Sequence, residues 1–289
     1  VTGEPVIRPL TAADVPGADA VGWAALQAQI PAQFLPADPE LRQARGRARV
    51  AHLLATDPDG CWVAEADGEI VAVALALVRE DVWGLSLFGV APGLQGRGIG
   101  GRTLAGALRY AEGRRGALIV SSTDPRAMRR YHRAGLALRP SVAAGGQLNR
   151  SRLPAGLRSR PGDLDADRPV LEAASRHARG AAHGPDYAAI AAAGGELLVC
   201  GDRGFAFHRE GAPVLLAAHD DETATDLLWS CLAGGPPGGP VHVHVITAGN
   251  DWAVAVALDA GLALEPDGPV FARGETGTLA PYLPSGAYL

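Results

Sequence analysis

The sequence predicts a mixed α/β protein made of two consecutive domains of one design, each a mixed β-sheet flanked by helices. Three observations predict it. The 289 residues are 47% hydrophobic, enough to bury two cores of ordinary domain size. Stretches with strand alternation and stretches with helical periodicity follow one another in the same order in both halves. A late segment, "NDWAVAVALDAGLAL" at 250–264, matches "DPRAMRRYHRAGLAL" at 124–138 in six of fifteen positions after a shift of 126, as an internal repeat would.

In the first half, an amphipathic helix is predicted from Asp14 to Gln29, stopped by Pro31. A second begins after Asp38, with Pro39 in its first turn, and ends before Pro58. "CWVAEADGEIVAVALALV" reads as a hairpin turning at Asp67-Gly68. The strand "WGLSLFGV" follows, ending at Val90. A glycine-rich loop, a helix to about Arg114, the buried strand "GALIVSS" and a helix capped by Asp124 complete the order.

The loop "GLQGRGIGGRTL", residues 93–104, carries five glycines and then turns into helix. Glycines let backbone N–H groups approach a ligand closely, and a helix start behind them favours phosphate. A nucleoside-triphosphate loop needs Gly-Lys-Ser/Thr, and the chain has no lysine. A dinucleotide fingerprint matches at Gly96, Gly98 and Gly101, with Asp124 at the distance of a ribose-binding acid. A pyrophosphate loop of the Gln/Arg-x-x-Gly-x-Gly/Ala type matches at Gln95, Gly98 and Gly100. The element order favours the latter. A dinucleotide loop begins at the end of the first strand of a βαβ unit. Here an antiparallel hairpin precedes the loop, and five residues separate Val90 from Gly96.

"VAPGLQGRGIGGRTL" followed by "DPRAMRRYHRAGL" resembles the two signature motifs of the GNAT superfamily of acyl-CoA-dependent N-acetyltransferases. The first is similar to V-x-P-x-x-Gln/Arg-G-x-G-I-G, the second to Asn-x-x-A-x-x-x-Tyr-x-x-x-Gly-Phe. Asp124 stands where Asn is usual, Leu136 where Phe is, and Gly101 where Arg or Ser is frequent. The resemblance implies direct acyl transfer from acetyl-CoA to a primary amine of a small acceptor. It places the pyrophosphate on Gln95, Gly96, Arg97, Gly98, Ile99, Gly100 and Gly101, and the pantetheine arm along the backbone of Gly89 and Val90. It gives an N–H near Val90 the thioester oxygen, Tyr131 the departing thiolate, and Asp124 the position of a cofactor contact. A non-catalytic acyl-CoA-binding module is the alternative, and a nicotinamide oxidoreductase a remote one.

The general base is not assigned by sequence. Glu80, Asp81, Ser86, His52 and His132 are candidates. By the resemblance, Trp23, Gln27 and Phe34 fall where the family's early helices wall the acceptor site, though core packing is the stronger reading for Trp23 and Phe34.

The second half repeats the pattern: "GGELLVCGDRGFAFHREGAPVLLAAH" as a hairpin and strand, "DETATDLLWSCLA" as a helix, "PVHVHVI" as a strand. "RPLTAAD" at 8–14 is echoed by "RPGDLDAD" at 160–167. Its glycine loop is missing: the sequence there reads "AAHDDETATDLL", with three consecutive acids, Asp220 to Glu222, and Ala257 matches Tyr131. One working site, in the first copy, is therefore expected. The boundaries read as an N-terminal domain at 1–142, a linker at 143–158 and a degenerate C-terminal copy with a tail at 159–289.

All 26 basic residues are arginine. Residues 1–150 hold 17 of them against 14 acids, and residues 151–289 hold 9 against 17. No dense arginine stripe with interleaved aromatics marks a nucleic-acid surface, and no apolar run reaches the ~20 residues of a membrane span. Cys61, Cys200 and Cys231 have no metal or redox spacing, so buried thiols of a cytoplasmic protein are expected. His242 and His244 share one strand face. With no third ligand identifiable they read as a polar face, and no metal is expected. "RHARGAAHGPDY" at 176–187 reads as a helix junction or a cleft lining.

Overall fold

The computed structural model describes residues 3–27, 30 and 35–289. The chain divides into two compact units, Val1–Ile119 with Leu289, and Val120–Tyr288.

The first unit opens with β1 (Val6–Pro9), α1 (Val15–Leu26) and α2 (Pro39–Thr56). Asp38 caps α2, its Oδ1 accepting the Leu41 N–H at 2.9 Å, with Pro39 in the first turn as the sequence predicts. Gln29, Pro31 and Phe34 lie outside the described residues. Next come β2 (Cys61–Ala66), β3 (Glu69–Arg79) and β4 (Val82–Val90). Asp67 and Gly68 both have positive φ, 51° and 81°, the geometry of the predicted primed turn. Then follow α3 (Ile99–Arg109) and β5 (Gly116–Val120). α3 ends five residues before the predicted Arg114. β1 to β4 pair antiparallel in chain order, and β5 joins β4 in parallel. Residues 71–77 of β3 are all buried. α1 packs on β3 and β4 while α3 packs on β2 and β3, and a strand covered on both faces loses its alternation.

A buried polar cluster ties this unit together. Asp57, 1% exposed, accepts hydrogen bonds from Arg79 Nη1 at 2.8 Å, the Val78 N–H at 2.8 Å, Thr56 Oγ1 at 2.6 Å and Tyr110 Oη at 3.1 Å. Burial, with the Asp57 charge second, pushes the Tyr110 hydroxyl up to about 12 and the Cys61 thiol likewise to about 12.

The second unit contains α4 (Pro125–Arg133), β6 (Ala137–Arg139), β7 (Ser141–Gln147), β8 (Arg160–Pro161), α5 (Arg168–Arg179) and α6 (Asp186–Ala192). It continues with β9 (Glu196–Cys200), β10 (Gly204–Arg209), β11 (Ala212–Ala218), α7 (Asp221–Ala233), β12 (Pro240–Thr247) and α8 (Asp251–Asp259). It closes with β13 (Ala263–Pro266), β14 (Val270–Gly274) and β15 (Tyr282–Leu283).

From β1 to β7 the order is β-α-α-β-β-β-α-β-α-β-β, and from β8 to β14 it is the same. The repeat read from 124–138 and 250–264 is α4 with its following strand and α8 with its following strand. The seventh strands are exchanged. β7 lies between β12 and β13, and β14 pairs with β6. The segment at 143–158, expected as a linker, thus holds most of a central strand. Its Ala143, Ala144, Gly145 and Gly146 look like linker composition because the strand is squeezed between two neighbours, Ala143 and Ala144 being fully covered.

β8 to β11 form a second antiparallel sheet, extended by β15 on the far edge of β11. The cluster expected as a helix junction or cleft is interior: His183, Asp186 and Tyr187 are each 0% exposed. The Tyr187 hydroxyl donates to the Leu171 carbonyl at 3.0 Å and bonds Ser175 Oγ at 2.9 Å, and His183 Nε2 bonds Tyr282 Oη at 3.1 Å. His177, outside this cluster, faces His219. All three cysteines are free and buried. Among the described residues no helix is long and apolar enough to cross a membrane.

Candidate acyl-donor site

The glycine loop begins where β4 ends. β4 is bonded to β5 only through Val82, Trp83 and Gly84. From Leu85 to Val90 it continues beside β3 alone among the strands of the first unit. Beyond Gly84, this stretch, including Gly89 and Val90, has no second strand of the first unit beside it, and such an edge suits an extended amide-bearing arm.

Gly98 is the N-cap of α3 with φ 82°, a left-handed conformation costly for any residue with a Cβ. It turns the chain so that the first N–H groups of α3, at Ile99, Gly100 and Gly101, have no acceptor within their own helix. Gly96, at φ 84°, makes the preceding bend. Gly100 serves differently: a Cβ there would lie 2.8 Å from Val90 Cγ2 and 3.1 Å from the Phe88 ring. It lets α3 sit against the end of β4. Gln95 reaches back, its Nε2 donating to the Val90 carbonyl at 3.3 Å. Gly96, Arg97 and Gly98 are exposed. The loop therefore fits a pyrophosphate: an open turn, donors at a helix start, and a basic side chain beside them.

In the second unit, Asp124 caps α4, its Oδ1 accepting the Arg126 N–H at 2.8 Å and its Oδ2 pairing with Arg126 Nη2 at 3.0 Å. Burial works to raise its carboxyl, but Arg126 holds it below the ordinary range. Tyr131, 5% exposed, packs edge-on against Phe271 with centroids 5.4 Å apart. Burial, with Asp124 adding to it, lifts its hydroxyl far above the ordinary phenol range, so it stays protonated at neutral pH. His132, one residue on, is exposed on another face of α4.

The base candidates separate on geometry. Glu80 and Asp81 form the β3–β4 turn, and Asp81 pairs with Arg114 at 3.3 Å. The nine-residue β4 puts that turn roughly 26 Å from the glycine loop at ~3.3 Å per residue. Ser86 is buried halfway along β4, and Arg49 Nε donates to its Oγ at 2.9 Å while Arg49 Nη2 donates to its carbonyl. His52 is half-buried on α2.

Sequence reasoning missed Arg49. The signal was present: Arg42, Arg45 and Arg49 recur at helical spacing on one partly buried face of α2. Arg42 lies over the Trp23 ring at 4.7 Å and grips Asp19 at 3.0 and 2.5 Å. Gln27 is the C-cap of α1. A cleft of about 250 Å³ lined by Trp62, Gly106, Arg109 and Tyr110 includes none of the expected site residues.

In the second copy both features are closed. β11 runs into α7 through only His219 and Asp220. Asp220 caps α7, accepting the Thr223 N–H at 2.7 Å, so a carboxylate stands where an anion would bind. The edge of β11 is taken by the tail strand β15, Leu216 opposite Leu283 and Ala217 opposite Tyr282. Ala257, matching Tyr131, is buried in the core.

Residues 23–136 match the acetyltransferase (GNAT) family. No curated protein matches significantly in sequence. Among solved structures, a putative acetyltransferase from Pyrococcus horikoshii is 15% identical with a TM-score of 0.79, covering 100% of this chain and 97% of that one. A tandem GNAT protein from the clavulanic acid biosynthesis pathway is also 15% identical, with a TM-score of 0.57 over 94% of this chain and 98% of its own. A GCN5-related N-acetyltransferase from Kribbella flavida is 16% identical, with a TM-score of 0.57 over 94% of this chain and 72% of that one. Residues 23–136 are thus a domain of the GNAT family. The whole chain shares its fold with these structures, a tandem GNAT protein among them.

Proposed function

We propose that this protein is an acetyl-CoA-dependent N-acetyltransferase with one acyl-donor site, in the first copy, acting on a primary amine of a small acceptor. The observation that carries the reading is the left-handed Gly98 cap at the open end of β4, which presents the first N–H groups of α3 beside an exposed Arg97. In this reading Gln95 to Gly101 hold the pyrophosphate, and the β4 edge at Gly89 and Val90 holds the pantetheine arm and polarises the thioester carbonyl. The neutral amine attacks the carbonyl carbon as the C–S bond breaks, and the amine's proton leaves through water or a base. Tyr131, kept protonated by burial, gives its proton to the thiolate and recovers one from water, which carries the proton the amine released. Asp124 shapes the start of α4 for the donor. The absence of any transmembrane helix among the described residues is compatible with work in the cytoplasm.

Titration of acetyl-CoA by calorimetry tests the reading, with NAD run beside it. One acetyl-CoA site per chain, followed by transfer to members of an amine panel, is the expected result. Binding of NAD in place of acetyl-CoA would overturn it.

A further inference from the structure

β12 and β13 lie on either side of β7. His242 and Glu265 stand on the same face of this three-stranded sheet, with Ala143 and Gly145 of β7 between them. The register of β12 slips between Val243 and Ile246. Val245, in this bulge, has φ 57°, a strained conformation for a β-branched residue. Asp267 pins the bulge, its Oδ2 accepting the Val245 N–H at 2.9 Å. Bulges re-aim side chains. Here the result is that His244 Nε2 meets His242 Nδ1 at 2.5 Å.

The outer nitrogen of each ring faces a carboxylate. His242 Nε2 is 3.4 Å from Glu265 Oε1, and His244 Nδ1 is 3.5 Å from Asp267 Oδ2. Carboxylates accept, so they favour N–H on those two outer nitrogens. The inner nitrogens, His242 Nδ1 and His244 Nε2, then turn lone pairs toward each other, an arrangement that calls for a shared cation. Imidazoles that ligate a metal through one nitrogen commonly donate the other N–H to a carboxylate, which fixes tautomer and ring orientation. The row Glu265–His242–His244–Asp267 has that form at both ends.

We propose that His242 Nδ1 and His244 Nε2 form a binding site for a late first-row divalent ion such as Zn²⁺, with Glu265 and Asp267 orienting the two rings. Among the described residues no third His, Cys, Asp or Glu completes the ligand set, so water fills the remaining positions. Tetrahedral Zn–N bonds of ~2.05 Å need the two nitrogens roughly 3.3 Å apart. Reaching that distance from the 2.5 Å contact needs the His244 ring, with 57% of its side chain exposed, to turn away from His242. The site involves no residue of the acyl-donor loop.

The test is a Zn²⁺ titration of the full chain against a chromophoric chelator. It is repeated on His244→Ala, Glu265→Gln and His177→Ala, the last removing one member of the separate His177–His219 ring pair. One Zn²⁺ per chain is expected. His244→Ala should abolish the binding, Glu265→Gln should weaken it by about 10-fold, and His177→Ala should leave it unchanged. The Cu²⁺-loaded protein should show an electron paramagnetic resonance pattern of two nitrogen ligands, reduced to one or none in His244→Ala. No binding at millimolar Zn²⁺, or binding equally strong in His244→Ala, would overturn the proposal and leave the pair sharing only a proton.

Discussion

Arg160 grips the Asp167 carboxylate with both terminal nitrogens, Nη1 to Oδ2 at 2.9 Å and Nη2 to Oδ1 at 2.5 Å. Arg8 holds Asp14 in the same way at 2.6 and 2.8 Å. Each carboxylate also accepts a backbone N–H at 2.8 Å, from Asp163 in one case and Thr11 in the other. The loose sequence echo between 8–14 and 160–167 is thus one device used twice. It clamps the first strand of each copy to the entry of its first helix.

The clamps give acid sensitivity a sign. Arg160, then the Asp163 amide, lowers the Asp167 carboxyl to about 2, and Arg8 chiefly lowers Asp14 further still. A carboxyl depressed on folding contributes stability above its unfolded value near 4, and that contribution is lost as pH falls through the folded value. Melting midpoints of wild type and Asp167→Asn should therefore differ at pH 7 and draw together as pH falls from about 4 toward 2. A gap that stayed constant over this range would assign the effect to packing alone.

Gly98→Ala is expected to weaken acetyl-CoA binding at least about 10-fold while leaving the protein folded. A Cβ at φ 82° costs roughly 1–2 kcal/mol, and no atom lies within 4 Å to clash with it. Gly100→Val adds a collision with Val90 and Phe88 and should lower the melting midpoint more. Circular dichroism beside calorimetry separates the two effects. Equal affinity in Gly98→Ala would remove the loop from the site.

Tyr131→Phe keeps the ring against Phe271 and removes only the hydroxyl. Turnover should fall by about 10²–10⁴, the usual range for a general acid, with the acetyl-CoA dissociation constant unchanged. Single-turnover kinetics on the variant makes the check. A wild-type protein that binds acetyl-CoA but turns over no amine would instead mark a binding module.

Local chemistry made most elements legible. The Asp38 and Asp124 caps, the Asp67-Gly68 turn and the unalternating β3 are each written in a few neighbouring residues. Partners far away in the chain are what the sequence hid. Residues 143–147 look like linker because the strands that flank them begin at Pro240 and Ala263. Ser86 gives no hint that Arg49 binds it, nor Asp57 that Arg79 does. The pair at His242 and His244 showed its spacing but not its carboxylates, which arrive on β13 and on the residue that follows it. In the donor loop the glycines stand together in sequence, so their spacing could be read directly. How the tail would close the second copy could not.

Asp57→Ala should destabilise the protein by about 3–5 kcal/mol, the range for removing one partner of a buried ion pair. The Arg79 guanidinium, 7% exposed, would lose its carboxylate, and the Val78 amide an acceptor. Tyr110→Phe removes one hydrogen bond from the same acid and should cost only about 1 kcal/mol. Urea unfolding of both variants measures the contrast. Equal losses would mean that the tyrosine, not the ion pair, anchors the cluster.

The second copy yields the sharpest stoichiometric prediction, because two separate features close it. Asp220→Ala removes the cap of α7 and should cost about 1 kcal/mol. It also takes away a carboxyl that Thr223 and Arg203 hold at about 2 against the effect of burial, so the helix start becomes less hostile to an anion. Acetyl-CoA should still bind once per chain, because β15 continues to occupy the β11 edge and no glycine turn exists to present the helix donors. Leu283→Asp, which puts a charge on that tail strand at a residue 2% exposed, should loosen the tail and lower the melting midpoint without adding a site. A second acetyl-CoA in either variant would mean that the second copy is blocked by these residues and not structurally unfit.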